Sequence, residues 1–366
     1  MVNLEVIRPK ECEHGVIHRR ADRFAAWPFN CGVWKYPGDE IVVGFVSRLC
    51  RYQKPYEVNH GYDPADGQPK RFLARSRDGG RTWEESPFTI LTDIEWKERA
   101  REPLPSRAPV DFRDPNLLIF HGGNVVVIST DRGRTFPTIC LLPPCRHEKI
   151  MGRPDYIIRP DGACVLFSTV SLTRTPPAYF GSSLWLGVEG RPVAYISRNG
   201  ALSWEFFSYL TPEPQEHMRI MPSGVWLPNG RMLAAVRCQM PSHGFSFWTE
   251  VYASEDGGRT WHFLSRPNDL GAPCHLLLLD DGRVLATYGY RSHPFGVRAK
   301  WSEDGGVTWG PEIILRDDGK SWDLGYPKSV QLGNGEIFTA YYFNDCSDPV
   351  DVDGGVRYIA WTRWRI

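Results

Sequence analysis

A chain of 366 residues is longer than one hydrophobic core usually supports, so two domains or one closed repeat architecture is expected. Basic and acidic side chains balance at 43 each, which argues against a nucleic-acid groove or an anionic membrane surface as partner. Hydrophobic residues make up 42% of the chain, and no apolar run approaches the roughly 20 residues of a membrane helix.

The N-terminus, Met1-Val2-Asn3-Leu4-Glu5-Val6, lacks a basic segment followed by an apolar core. A cytoplasmic protein is therefore expected, or a secreted one if a leader has been trimmed. The first unit has Pro28, Gly38-Asp39 and the β-branched run Ile41-Val42-Val43-Gly44-Phe45. An octapeptide follows, Ser76-Arg77-Asp78-Gly79-Gly80-Arg81-Thr82-Trp83, and then Asp93 to Arg101 reads as one short surface helix. Pro115 leads to Gly122-Gly123 and to Val125-Val126-Val127-Ile128, which runs straight into a degenerate octapeptide at Ser129, Asp131, Gly133, Thr135 and Phe136. That leaves no room for a third strand, so either the second unit is reduced or this octapeptide match is fortuitous.

Pro154 to Asp161-Gly162 and Val165-Leu166-Phe167 form the next hairpin, followed by a second degenerate copy at Ser197, Asn199, Gly200, Ser203 and Trp204. Pro222 to Asn229-Gly230 precedes the full octapeptide Ser254 to Trp261, and Pro273 to Asp281-Gly282 precedes Ser302 to Trp309. Pro327 to Asn334-Gly335 is the sixth hairpin, and Arg357-Tyr358-Ile359-Ala360-Trp361-Thr362 is a last strand with no octapeptide after it. This strand is expected to close a ring by pairing with the N-terminal segment, which removes free sheet edges.

Each octapeptide reads as a hairpin turn. The Asp or Asn carboxyl or amide oxygen accepts backbone N–H groups, glycine supplies positive φ, and the aromatic residue packs between sheets. These residues are structural. With six proline-led inner hairpins they predict an all-β fold, a six-bladed β-propeller of four-stranded antiparallel blades spanning residues 1–366 as one domain. An aromatic content of 13%, with 14 tryptophans, suits such a fold.

Residues at or just before the six prolines should ring the central mouth: Trp27, Arg113 with Asp114, Arg153 with Asp155, His217 with Arg219, Cys274-His275, and Asp323 with Tyr326. Converging guanidinium groups repel one another unless an anion binds, and their planar fork matches a carboxylate. Arg113 and Arg153 each neighbour an aspartate, so an internal salt bridge is an equal reading for both. His60 lies on a long loop that would overhang the mouth. Nine cysteines without C-x-x-C pairs read as reduced, mostly buried thiols. No metal set, nucleotide loop or EF-hand is visible, no cofactor is expected, and the acid-rich run Asp345 to Gly354 reads as a solvated loop.

The octapeptides, their spacing and the six hairpins resemble the sialidase (neuraminidase) superfamily and its Asp-box repeats over almost the whole chain. The resemblance implies that Tyr326, opening the sixth blade in Tyr326-Pro327-Lys328-Ser329, is the nucleophile. Phe112-Arg113-Asp114-Pro115 looks like the family's Phe-Arg-Ile-Pro motif, whose arginine binds the substrate carboxylate, but it falls on the second hairpin. Arg23-Phe24-Ala25-Ala26-Trp27-Pro28 holds the equivalent place in the first blade and rivals it. Arg298 is similar in placement to a third family arginine. The family's activating glutamate, on an inner strand of the fourth blade, has no counterpart between His217 and Val236.

The leading expectation is an exo-acting glycoside hydrolase on a terminal acidic sugar, with Tyr326 attacking the anomeric carbon and Asp114 as general acid/base. Arg23, Arg113, Arg153, Arg219, Arg298, Trp27 and His275 would bind the sugar. A polysaccharide lyase is the alternative, with Arg219 neutralising a uronate and His217 or Tyr326 taking its C5 proton. A non-catalytic glycan-binding propeller is the third.

Overall fold

The protein is described by a computed structural model over residues 6–53, 70–88, 108–145, 149–151, 155–171, 190–212, 217–240 and 246–366. Short apolar and β-branched runs broken by glycine turns make nearly every element a strand, and the strands group into six separate sheets. The fold is a six-bladed β-propeller of four-stranded blades.

Blade four is the regular case, running Met218–Trp226, Met232–Met240, Ser246–Ser254 and His262–Asn268 from axis to rim. Blade five has the same form from Gly271–Leu278 to Glu312–Gly319, with Val6–Ile7 added in parallel outside it. Blade three has an inner strand in two pieces, Lys149–Ile150 and Asp155–Ile158, both paired with Cys164–Ser171. Blade one is broken similarly: Arg23–Ala26 and Val33–Tyr36 both pair with Glu40–Leu49, and a single helical turn, Pro28–Cys31, fills the gap. In blade six, Tyr358–Trp364 lies between Ile337–Phe343 and the N-terminal strand Cys12–His18. The ring is closed as expected, by a strand from each end of the chain.

Blade two departs from the sequence expectation. Its described strands are Leu118–Gly122, Val125–Ser129 and Thr138–Leu141, and the octapeptide at Ser129 joins the last two. Gly122-Gly123 therefore turns between second and third strands, not within an inner hairpin. The octapeptide itself is genuine: Gly133 N donates to Ser129 Oγ at 2.8 Å and Thr135 N to Asp131 Oδ1 at 2.9 Å. The predicted helix at 93–101 lies outside the described residues.

The octapeptides are hairpin turns between third and outer strands in blades one to five. Asp256 Oδ1 accepts Arg259 N and Thr260 N at 2.9 Å, and its Oδ2 accepts Thr260 Oγ1 at 2.6 Å. Slight burial raises this carboxyl, but hydrogen bonds from Thr260, Ser254 and Arg259 outweigh it and hold it down to about 2. Gly80 shows why glycine is needed. Its φ is +95°, and a Cβ there would lie 2.5 Å from the Phe338 ring. The closing aromatics reach the neighbouring blade, with Trp83 5.7 Å from Phe338 and Trp261 6.1 Å from Phe167.

The core is a ring of seams between successive blades. Ile157, Val165, Met232 and Ala234 join blades three and four, and Leu233, Ala235, Cys274 and Leu276 join four and five. Alternate residues of one strand thus face opposite neighbours, which is why second strands are apolar on both faces. None of the nine cysteines is bridged, and Cys31, Cys50, Cys140, Cys164, Cys238 and Cys274 are buried.

Candidate active site

Inner-hairpin turns and octapeptide turns share one end of the propeller, so inner strands begin at the other end, the mouth. Blade six's inner strand, Gly325–Gln331, opens there on two residues in the left-handed region, Gly325 at φ +97° and Tyr326 at φ +50°. That conformation costs a tyrosine of order 1 kcal/mol or more. Packing on two sides holds it. The ring meets Phe29 edge-on at 6.3 Å and Tyr342 at 5.6 Å.

The Tyr326 hydroxyl accepts a hydrogen bond from Arg237 Nη1 at 2.8 Å. Arg237 lies on the second strand of blade four, where Nη2 donates to Gln239 Oε1 at 3.1 Å and the guanidinium covers the Phe247 ring at 4.8 Å. Arg291 follows the second strand of blade five, and its guanidinium stands 5.2, 5.5 and 5.3 Å from the Phe247, Trp322 and Tyr326 rings. Its Nη2 donates to the Leu324 carbonyl at 3.0 Å and the Tyr342 hydroxyl at 3.3 Å, while its buried Nε donates to no described group. Burial lowers Arg291, but Tyr342, Tyr326 and Asp323 outweigh it and leave the group above its ordinary value, hence cationic. Arg48, on the second strand of blade one, is likewise buried and lies 4.5 Å over the Phe24 ring.

Sequence reasoning missed Arg48, Arg237 and Arg291 because it looked beside prolines. The usable signal was a charged residue ending a buried apolar run, as in Ala234-Ala235-Val236-Arg237 and Tyr288-Gly289-Tyr290-Arg291. Of the expected residues, the structure brings Trp27 to this cluster. It caps the Pro28–Cys31 turn at φ 69°, packs on Phe24 at 5.7 Å, and lies against the same core as Tyr326. Arg23 opens the inner strand of blade one at the mouth end, opposite Leu49.

His217 and Arg219 meet a group the sequence reading left out, Glu250 on blade four's third strand. Glu250 Oε2 accepts Arg219 Nε at 3.0 Å and the Tyr252 hydroxyl at 2.7 Å, and Oε1 accepts Trp248 Nε1 at 3.1 Å. His217 Nε2 stands 3.2 Å from Oε1, at ion-pair distance but off the hydrogen-bond direction. Burial alone would raise Glu250, yet His217, Tyr252 and Arg219 hold its carboxyl well below the usual range. Cys238 joins His217 and Glu250 with donor atoms all within 4.8 Å of one another. Burial pushes the Cys238 thiol well up, and Arg219 pairs with Glu250 at 3.0 Å in the same cluster.

Four expectations are corrected. Arg113 and Asp114 stand at the turn end, not the mouth. Arg113 is exposed and donates to the Pro160 carbonyl of the blade-three turn, and Asp114 accepts Asn116 N at 2.8 Å within its own loop. The motif likeness misled because a proline before a strand also occurs where a second strand starts. Arg298 is on blade five's third strand, bound to the Arg316 and Pro294 carbonyls and 3.5 Å from Glu312, all inside its own blade. His275 is buried on the propeller axis, where its Nδ1 accepts Ser329 N at 3.2 Å. Burial, then nearby Lys328, pushes it down to about 3, so it is neutral. Beside it Asp155 accepts Lys328 Nζ at 2.8 Å, Ser223 Oγ at 2.6 Å and Gly224 N at 3.2 Å, a polar knot tying blades three, four and six. Arg153 and His60 lie outside the described residues. In the acid-rich run, Arg19 pairs with Asp345 and Asp348 and Lys320 with Asp351, so cations already occupy it.

Residues 124–339 match the model of the BNR repeat-like domain. No curated protein matches the chain. Among solved structures, a protein of unknown function from Dyadobacter fermentans is 24% identical, with 98% of this chain and 99% of that one covered and a TM-score of 0.71. The NanB sialidase of Streptococcus pneumoniae, as its K499G mutant, is 12% identical over 94% of this chain and 70% of that one, with a TM-score of 0.59. The Trypanosoma rangeli sialidase in complex with sialic acid is 13% identical over 98% of this chain, at a TM-score of 0.55. This chain spans 59% of that sialidase's length. With the matched repeats covering more than half of the sequence, the chain belongs to the BNR repeat-like domain family, and its fold is like that of the sialidases among the solved structures.

Proposed function

We propose that this propeller is an exo-acting glycoside hydrolase that takes a terminal sugar bearing a carboxylate. Tyr326 meets the anomeric carbon, and Arg237 and Arg291, in place of the arginines expected from sequence, hold the acid group. The observation that carries this reading is the pair of buried guanidiniums flanking one phenol, one of them hydrogen-bonded to it at 2.8 Å and the other with an unused buried Nε. Two cations in a buried mouth favour an anion there and favour ionising the phenol, which gives its proton to water before its oxygen bonds the anomeric carbon and the glycosidic oxygen departs, taking a proton from water. Sialidases among the solved neighbours support the class of chemistry by likeness of fold.

The lyase alternative keeps one supporting observation. The side chain that blade four's inner strand sets against Arg237 is Met221, with Sδ 3.7 Å from Nη1, rather than a carboxylate. Its other support weakens, because His217 and Arg219 are bound to Glu250. The test is release of 4-methylumbelliferone from a sialoside, a glucuronide and a neutral galactoside by wild type and Tyr326→Phe. Release from an acidic glycoside alone, lost in the variant, is expected. Unchanged release by Tyr326→Phe would refute the assignment. A product with new near-ultraviolet absorbance from a uronate polymer would identify a lyase instead, and binding without turnover a glycan-binding module.

A further inference from the structure

The Arg291 guanidinium lies among three aromatic rings and is bound at one end by a chain of hydrogen bonds. Phe247, Trp322 and Tyr326 stand 5.2–5.5 Å from its carbon. The Leu324 carbonyl and the Tyr342 hydroxyl meet Nη2. Tyr342 donates its only proton to Asp323 Oδ1 at 2.6 Å, so its oxygen is turned to accept from Arg291, which can only donate. Asp323 is fixed in turn. Its carbonyl accepts Arg357 Nε at 3.1 Å and Asn344 Nδ2 at 2.8 Å, and its Oδ2 lies 3.4 Å from Arg357 Nε. All four side chains are buried, and Asp323 sits three residues before Tyr326 in the same segment.

We infer that Asp323 and Tyr342 are positioning residues that aim the remaining N–H groups of Arg291 at the substrate's carboxylate. The arrangement does two things. Among the described contacts Asp323 reaches Arg291 through the Tyr342 hydroxyl, which sets the orientation of the guanidinium, while the Asp323 charge helps to keep it cationic. The same segment carries Tyr326, so the group proposed to attack and the group proposed to hold the carboxylate are registered to one backbone. The role therefore predicts a defect specific to acidic ligands.

The inference rests on the reading of Arg291 as a carboxylate holder. Its test is calorimetric titration of the full chain with N-acetylneuraminate, glucuronate and galactose, for wild type, Tyr342→Phe, Asp323→Asn, Arg291→Gln and Arg291→Gln/Tyr342→Phe, each checked for an unchanged melting temperature. Losing one hydrogen bond to a charged group should weaken acidic-sugar binding about 5- to 10-fold in Tyr342→Phe. Galactose affinity should not move, and Tyr342→Phe should add no further loss in the Arg291→Gln background. Wild type that binds no acidic sugar overturns both the inference and the reading beneath it. Wild type that binds and loses binding in Arg291→Gln, with Tyr342→Phe and Asp323→Asn unimpaired, overturns the positioning role alone. An equal loss from Tyr342→Phe in both backgrounds also overturns it, since the phenol would then act independently of Arg291.

Discussion

Replacing Lys328 by methionine leaves the Asp155 carboxylate on the propeller axis with three of its four donors, Ser223 Oγ, Gly224 N and Tyr156 N. Both partners are about nine-tenths buried, at 11% and 8% side-chain exposure, so water does not take over the lost contact. Breaking such a pair from one side costs about 3–5 kcal/mol, because the surviving charge stays buried. For 366 residues, an unfolding entropy of about 2.1 cal/mol/K per residue gives about 0.8 kcal/mol/K. A loss of about 4 kcal/mol therefore lowers the melting temperature by roughly 5 °C. Asp155→Asn should cost a similar amount by stranding the ammonium, whereas Asp155→Asn/Lys328→Met buries no charge and should lose less than either single variant. Thermal and urea unfolding followed by tryptophan fluorescence measure all three. Single-variant losses below about 1 kcal/mol, or losses that simply add in the double variant, would refute the axial ion pair as the tie between blades three and six.

Tyr326→Phe should cut turnover of an acidic glycoside by at least about 100-fold with little change in KM, since ring packing remains and only the attacking oxygen is lost. His275 is held neutral with its folded pKa down at about 3, so between roughly pH 6.5 and pH 3 the unfolded chain binds the extra proton and stability rises with pH. His275→Asn keeps an acceptor for Ser329 N and should flatten that slope by up to about 1.4 kcal/mol per pH unit, read from urea unfolding at pH 4, 5 and 6. Asp256→Ala frees four donors in its turn and should cost roughly 1–3 kcal/mol, while Thr260→Val, which removes only the hydroxyl, should cost less. Glu250→Gln should leave Arg219 with a weaker acceptor and destabilise by roughly 2 kcal/mol or more, with the melting temperature as readout.

The architecture was written locally. Each octapeptide closes its own turn through one Asp or Asn side chain and a glycine, so five of them could be read without knowing what they pack on, and the hairpins between them fixed the blade count. Blade two was misassigned because a glycine pair after an apolar strand looks alike whether it joins first and second strands or second and third. Tyr326 was placed correctly at the start of an inner strand because its proline marks that position. Arg237 and Arg291 were not, since their significance lies in which second strands converge on which inner strand, a relation between residues 89 and 35 positions apart. The same limit misplaced Arg113, Asp114, Arg298 and His275. Sequence by itself determined the repeat, the turns and the blade count, because hydrogen bonds a few residues apart and short apolar runs between turns are local. Which guanidiniums are left facing the mouth, and which carboxylates already satisfy the others, was decided only when six blades met at one axis, because partner choice among charges depends on distances the chain sets across the whole ring.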